Sequence, residues 1–176
     1  MIELPSDRSV PGRAPLGVPV VLVTGATGGL GQVLARAFAE SRMTVALHGR
    51  VVRKLEALYD SILKSGAPEP AILLLDFATA DSQDYVKAAN AIDQQLGRLD
   101  AIVHCAGSLS RLAPIEYHTM EDWTATLRNN VVAPMALTRA MLPLLRRAPP
   151  AKVIFTLDRS SSERRASLSL HDKHLG

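Results

Sequence analysis

Apolar residues fall in short unbroken runs, separated by longer stretches where they recur every three or four positions. Runs such as Val-Val-Leu-Val, Ile-Leu-Leu-Leu and Val-Ile-Phe lack in-and-out alternation, the pattern of strands buried on both faces. The spacing predicts strands over Val18–Thr24, Thr44–His48, Ala71–Asp76, Ala101–Cys105 and Lys152–Leu157. Between them it predicts helices over Leu30–Ser41, Val52–Ser65, Ser82–Leu96 and Met120–Arg147. The last helix carries Pro134 and Pro143, each of which removes a backbone donor and crowds the preceding turn, so an interruption is expected there. Regular strand–helix alternation implies a doubly wound α/β fold, a parallel sheet with helices on both faces. Residues 1–17, with Pro5, Pro11, Gly12, Pro15 and Gly17, read as a flexible leader, 18–157 as the domain and 158–176 as an irregular tail. The pattern stops after the fifth strand, and the fold is expected to be incomplete there.

Composition narrows the function classes. A chain of 176 residues with 47% hydrophobic, 21% charged and 4% aromatic content fits one globular domain with a core of its own. The single cysteine, Cys105, excludes a disulfide framework and a Cys-rich zinc site. No apolar run approaches the ~20 residues that cross a bilayer. The start, Met1-Ile-Glu-Leu-Pro-Ser-Asp, has no apolar signal core, so the expected location is the cytoplasm. Net charge is +3. Its only local excess, Arg159, Arg164 and Arg165, has no interleaved aromatics and reads as a solvated basic stretch; neither nucleic acid nor membrane is expected as a partner.

The chemistry-bearing segment follows the first strand: Thr24-Gly25-Ala26-Thr27-Gly28-Gly29-Leu30-Gly31, opening into a helix. A strand-to-helix turn that lets backbone amides approach a pyrophosphate needs residues without a Cβ and tolerant of positive φ, which glycine supplies. The anion then meets the free N–H groups and positive end of the helix. Such turns also occur for geometry alone, but the strand–turn–helix context is that of a Rossmann-type dinucleotide site. In sites that prefer NAD, a carboxylate about 20 residues on holds the ribose 2′-OH. Here His48-Gly49-Arg50 stands at that place. Gly49 leaves room and Arg50 can hold a 2′-phosphate through charge-assisted hydrogen bonds, with Arg53 and Lys54 adding positive field. NADP is expected in preference to NAD.

The pattern Thr-Gly-x-x-x-Gly-x-Gly over Thr24 to Gly31 resembles that of the short-chain dehydrogenase/reductase family, and later segments agree in order and spacing. Asp76, followed by Phe77, resembles the family's aspartate near the adenine. His104-Cys105-Ala106-Gly107 resembles its Asn-Asn-Ala-Gly segment, with Ala106 and Gly107 matching. Asn130 falls where the family keeps a catalytic asparagine, and Pro134-Met-Ala-Leu-Thr-Arg-Ala-Met-Leu-Pro-Leu-Leu resembles the continuation of that helix. The likeness spans about residues 18 to 157. It implies hydride transfer between NAD(P)(H) and an alcohol or carbonyl. It also implies cofactor contacts at Thr24, Gly25, Thr27, Gly28, Gly29, Leu30, Gly31, Arg50, Asp76, Phe77, Ala106 and Gly107, and a water-ordering role for Asn130.

The resemblance also implies a catalytic tyrosine with a lysine four residues later, whose charge brings the phenol from ~10 toward working pH. Tyr59, Tyr85 and Tyr117 precede Leu63, Ala89 and Glu121, and all three lie before Asn130; the spacing is absent. The family's serine position falls on Asp158 and Arg159, with Ser160, Ser161 and Ser162 just beyond as substitutes or plain loop. Two readings stay open. One is a truncated NADP-dependent oxidoreductase; the other is an inactive dinucleotide-binding half-domain that works through a partner. A second copy or a partner protein would cover the exposed edge strand. His104 and Cys105, adjacent in a strand, point to opposite faces and form no metal pair. His118, His171 and His174 show no ligand spacing, and no metal is expected. Cys105 reads as a small buried residue, and Trp123 with Leu127 as a core or interface contact.

Overall fold

The computed structural model describes residues 17–109 and 113–157. The expected leader apart from Gly17, the tail from Asp158 and the Ser160–Ser162 candidates lie outside the described residues. The strands are β1 (Val20–Thr24), β2 (Thr44–Gly49), β3 (Ala71–Leu74), β4 (Ala101–His104) and β5 (Lys152–Phe155). They form one sheet in the order β3-β2-β1-β4-β5, every neighbouring pair parallel. In register, Val21 lies between Val45 of β2 and Ala101 of β4. The expected doubly wound architecture is therefore the observed one.

Successive residues of a strand face opposite sides, and β1 uses both. Val20 and Leu22 join a core with Ala88 and Ile92 of α3 (Ser82–Leu96) and Leu137 and Met141 of α5 (Ala133–Arg146). Val21 and Val23 join a second core with Ala35 of α1 (Gly29–Glu40) and Leu55, Leu58 and Ile62 of α2 (Val52–Lys64). Each large side chain so buried is worth roughly 1.5–3 kcal/mol of transfer free energy. At the opposite end of the sheet from the glycine turn, Asp100 Oδ2 accepts from the Val20 amide at 2.7 Å and from Arg98 Nε at 2.9 Å, tying the entries of β1 and β4.

The long fourth helix is interrupted directly before Pro134. It divides into α4 (Met120–Leu127), a π turn (Arg128–Val132) and α5. Pro134 is the second residue of α5, and α5 runs through Pro143 to Arg146. Trp123 is 47% exposed, so its core reading is corrected. No helix among the described residues is long and apolar enough to cross a membrane.

Candidate functional site

In an open parallel sheet the connections from neighbouring central strands diverge, which opens a crevice at their carboxyl ends. Here β1 and β4 are those neighbours. A cavity of about 250 Å³ lies there, lined from four strand ends: Gly25, Thr27 and Gly28 after β1; His48, Gly49 and Arg50 at β2; Leu75, Asp76 and Phe77 after β3; Cys105, Ala106, Gly107 and Ser108 after β4. Asn129 of the π turn closes one side.

The glycine turn is built from the backbone outward. Thr24 is buried, and its hydroxyl accepts from the Cys105 and Ala106 amides, both at 3.1 Å, which locks the ends of β1 and β4 together. Gly25 follows at φ +63°, and a Cβ there would stand 2.8 Å from the Ala106 Cα, so only glycine fits. Its carbonyl accepts from the Gly28 amide at 2.9 Å. A Cβ on Gly31 would lie 2.2 Å from that same carbonyl, so a bare Cα in α1 lets the helix sit directly on the turn. Thr24 and Gly31 thus shape the cavity from behind. Gly29 and Leu30, the latter 54% exposed, lie outside its lining.

The start of α1 differs from those of α3 and α4. α3 and α4 begin with capping boxes, Asp81 with Asp84 and Thr119 with Asp122. Gly28 caps α1 with no side chain, and no acidic residue occupies its first turn. The amides and positive dipole end that face the cavity are therefore left to an anionic ligand. The residues present fit a dinucleotide pyrophosphate.

At β2, a Cβ on Gly49 would come within 3.2 Å of Leu55 Cδ2, so a larger side chain would press on α2. Arg50 is exposed on the cavity rim, and among the described residues its guanidinium has no hydrogen-bond partner. Residues 48–50 include no carboxylate, while Asp76 and Asp84 border a neighbouring pocket with Arg50. The nearest acid lining the cavity is Asp76 after β3, whose Oδ1 accepts from the Ala78 amide at 3.0 Å. Phe77 is buried and stacks on the His48 ring at 4.3 Å.

Asn130 does not line this cavity. Its Oδ1 accepts from the Ser108 amide and its Nδ2 donates to the Ser108 carbonyl, both at 2.8 Å, while Asn129 Nδ2 donates to Ser108 Oγ at 3.2 Å. Adjacent residues of an α-helix diverge by about 100°. Both asparagines lie in the π turn and bond the same serine. Asn130 also borders a neighbouring apolar groove with Val131, Met135, Leu142 and Phe155.

His104 and Cys105 diverge as expected. His104 is buried, with Nε2 2.8 Å from Thr138 Oγ1 and its ring stacked on Phe155 at 4.8 Å; burial pushes its pKa down to about 4. Cys105 is half-buried and lines the cavity, which corrects the fully buried reading; burial raises its thiol pKa, against a hydrogen bond to Thr156. Tyr59 and Tyr85 belong to the two cores and Tyr117 is exposed, so none of the three tyrosines lines the cavity. Sequence reasoning did not single out Leu75, Ser108, Asn129 or the His48 ring. For Leu75, Ser108 and His48 the signal is position, since each follows or ends a strand whose carboxyl end borders the crevice; Asn129 had none.

Comparisons with known proteins agree with this geometry. The family model for short chain dehydrogenases matches residues 19–169. The oxidoreductase YciK of Escherichia coli is 32% identical over 148 residues, which are 84% of this chain and 59% of that protein. The short chain dehydrogenase mpl6 of Monascus purpureus is 34% identical, covering 71% of this chain and 44% of its own length. The chain thus spans about half the length of these relatives. A short chain dehydrogenase structure from Shigella flexneri complexed with NADP superposes with a TM-score of 0.80 at 29% identity, covering 89% of this chain and 64% of that one. One from Escherichia coli complexed with NADPH gives 0.80 at 30%, covering 90% and 65%. Fold, glycine turn and matched length lead to one conclusion: the chain belongs to the short-chain dehydrogenase family.

Proposed function

We propose that the cavity binds NADP(H), and that this stretch of chain is the cofactor-holding part of an oxidoreductase acting on an alcohol or carbonyl. The observation that carries the cofactor choice is the end of β2. Gly49 and Arg50 stand there with no carboxylate among residues 48–50, and the Arg50 guanidinium has no partner among the described residues. A carboxylate would repel a 2′-phosphate, whereas an arginine holds one through planar, charge-assisted bonds. The pyrophosphate would lie on the uncapped start of α1, against Gly25, Thr27 and Gly28. Phe77 and Asp76 would flank the adenine, with Ala106 and Gly107 toward the nicotinamide side. When bound, the cofactor supplies the hydride. Asn129 and Asn130 fix Ser108 and so hold the loop that forms the cavity wall after β4. The matched structures that hold NADP and NADPH support this reading.

Proton donation is assigned outside this stretch, because no Tyr-x-x-x-Lys spacing occurs in it and no tyrosine lines the cavity. A second reading, dinucleotide binding by a chain that acts through a partner or a second copy, is favoured by β5, all four residues of which are exposed.

Titration with each cofactor tests the primary reading. NADPH should bind more tightly than NADH, and Arg50→Ala should remove about 1.5–3 kcal/mol of that difference, roughly tenfold or more. Equal affinity of the unsubstituted chain for both would overturn it.

A further inference from the structure

After Thr44, β2 is apolar to its end except for one ring. In Thr44-Val-Ala-Leu-His-Gly49, His48 occupies a fully buried place in the sheet yet also borders the cavity. Its Nδ1 contact accounts for an acceptor there, while the buried Nε2 has no hydrogen-bond partner among the described residues. The His48 carbonyl accepts from the Ala26 amide at 2.9 Å, and its Nδ1 accepts from the Gly25 amide at 3.3 Å. Two consecutive N–H groups of the glycine turn are therefore received by one residue, the first by its side chain. The ring also stacks on Phe77, tilted by 24°, and so meets the loop after β3. One imidazole joins three of the four strand ends that line the cavity.

The Gly25 Cα, at positive φ, is a sensitive place for such a hold: the peptide before it carries the N–H that the ring receives, and the peptide after it carries the carbonyl that accepts from the Gly28 amide and supports α1 at Gly31. Rotation of the first peptide about this hinge would strain the second and with it the start of α1. An apolar side chain at position 48 would keep the packing but leave a part-buried amide without its protein acceptor.

We propose that His48 is a positioning residue for the dinucleotide phosphates, its neutral ring holding the Gly25 amide so that the turn presents the α1 amides to the pyrophosphate. This inference rests on the cofactor reading above. Nδ1 can accept only when it carries no proton, so the bond requires the neutral tautomer protonated at Nε2. Burial keeps the ring in that state, pushing its pKa down to about 4. His104 from β4 adds to the effect, while Asp76 and the Leu75 carbonyl from the β3 end oppose it.

Two variants separate the acceptor from the ring. His48→Phe keeps an aromatic ring for Phe77 and removes the acceptor; His48→Asn keeps an oxygen near the Nδ1 position and removes the ring. Expected is that His48→Phe weakens NADPH binding about tenfold or more, while His48→Asn stays within about threefold. Exchange of the Gly25 amide, followed by NMR on the full chain without cofactor, should quicken in His48→Phe and not in His48→Asn. The ¹⁵N shifts of the wild-type His48 ring should show Nε2–H with an unprotonated Nδ1. The opposite tautomer overturns the inference even if His48→Phe fails to fold. Unchanged NADPH affinity in a folded His48→Phe, or an equal loss in His48→Asn, overturns it while the cofactor reading stands. Wild-type chain that binds neither NADPH nor NADH overturns the cofactor reading and this inference with it.

Discussion

The sheet has two edge strands, and they are treated in opposite ways. β3 pairs only with β2, yet Ala71 and Leu73 are buried, because α2 covers one face and α3 the other. β5 pairs only with β4, and all four of its residues are exposed, Phe155 at 55%. Both runs are apolar: Ala-Ile-Leu-Leu on one edge, Lys-Val-Ile-Phe on the other. Edge position therefore does not decide burial; helix cover does. The side of the sheet that carries the glycine turn, His48 and Arg50 is closed over its apolar residues. The side that carries Phe155 is not, among the described residues.

Matched truncations at the two edges should give the largest difference. Leu73→Ala in β3 removes a side chain only 2% exposed from a core, for an expected loss of about 2–5 kcal/mol. Ile154→Ala in β5 removes one that is already 43% in solvent, and its loss should stay below about 1 kcal/mol. Urea unfolding of both, with comparable m-values, checks the pair. Equal losses would mean that β5 is covered in solution.

This contrast also marks where the sequence was legible. The unbroken run of β1 reported burial on both faces correctly, because helices from both sides meet Val20 to Val23. For Val153-Ile154-Phe155 the apolar run alone reads as burial on both faces, and it was the end of the strand–helix pattern after it that pointed to an exposed edge, as observed. The glycine turn was legible because Gly25 and Gly31 answer a local steric demand. Arg50 was legible by its place at the end of the second strand. The π turn was legible only in part: Pro134 pointed to an interruption, which lies directly before it, but not to Asn129 and Asn130 reaching across to Ser108, a contact over about twenty residues that no local pattern encodes. Thr24 read as part of the cofactor motif, but nothing in the sequence shows that its hydroxyl holds two amides after β4. His48 read as a neighbour of Arg50, and only the fold brings Gly25 and Phe77 to its ring.

A pH titration sharpens the comparison, since each edge has a histidine stacked on a phenylalanine. His48 lies under Phe77 beyond β3, and His104 under Phe155 of β5. Burial lowers both pKa values from 6.5 to about 4. Well above pH 6.5 both are neutral in folded and unfolded chain alike and contribute no pH dependence. As pH falls from 6.5 to about 4 the unfolded chain takes up protons that the folded chain refuses, so stability is lost across that window and levels off below it. Each histidine should contribute roughly 1 kcal/mol per pH unit. Denaturant unfolding at a series of pH values should show a slope in this window that His104→Gln reduces by about half. Because the ring over His104 is the exposed one, its NMR titration should fall nearer the ordinary histidine range than that of His48. The reverse order would place the tighter cover over β5.

The smallest effect on stability, with the clearest consequence for behaviour, should come from a charge placed on the open edge. β5 presents Val153, Ile154 and Phe155 to solvent, and the side of the strand away from β4 carries backbone groups with no strand beside them among the described residues. Such an edge is a template for pairing with a second chain. Proteins commonly blunt it with lysine, whose ammonium cannot be buried between two strands without a large desolvation cost. Lys152 already does this at the first residue of β5, but the three that follow are apolar. Ile154→Lys would place a second ammonium two residues on, opposite Val103 in the register with β4. Since Ile154 is 43% exposed, the lysine stem can lie along the strand with its charge in water, and unfolding stability should change by less than about 0.5 kcal/mol. Self-association should fall markedly, read as the concentration dependence of sedimentation and light scattering. A variant that stays equally self-associating would locate the association elsewhere, and one that loses several kcal/mol would show that Ile154 is packed in solution, which would remove the contrast between the two edges.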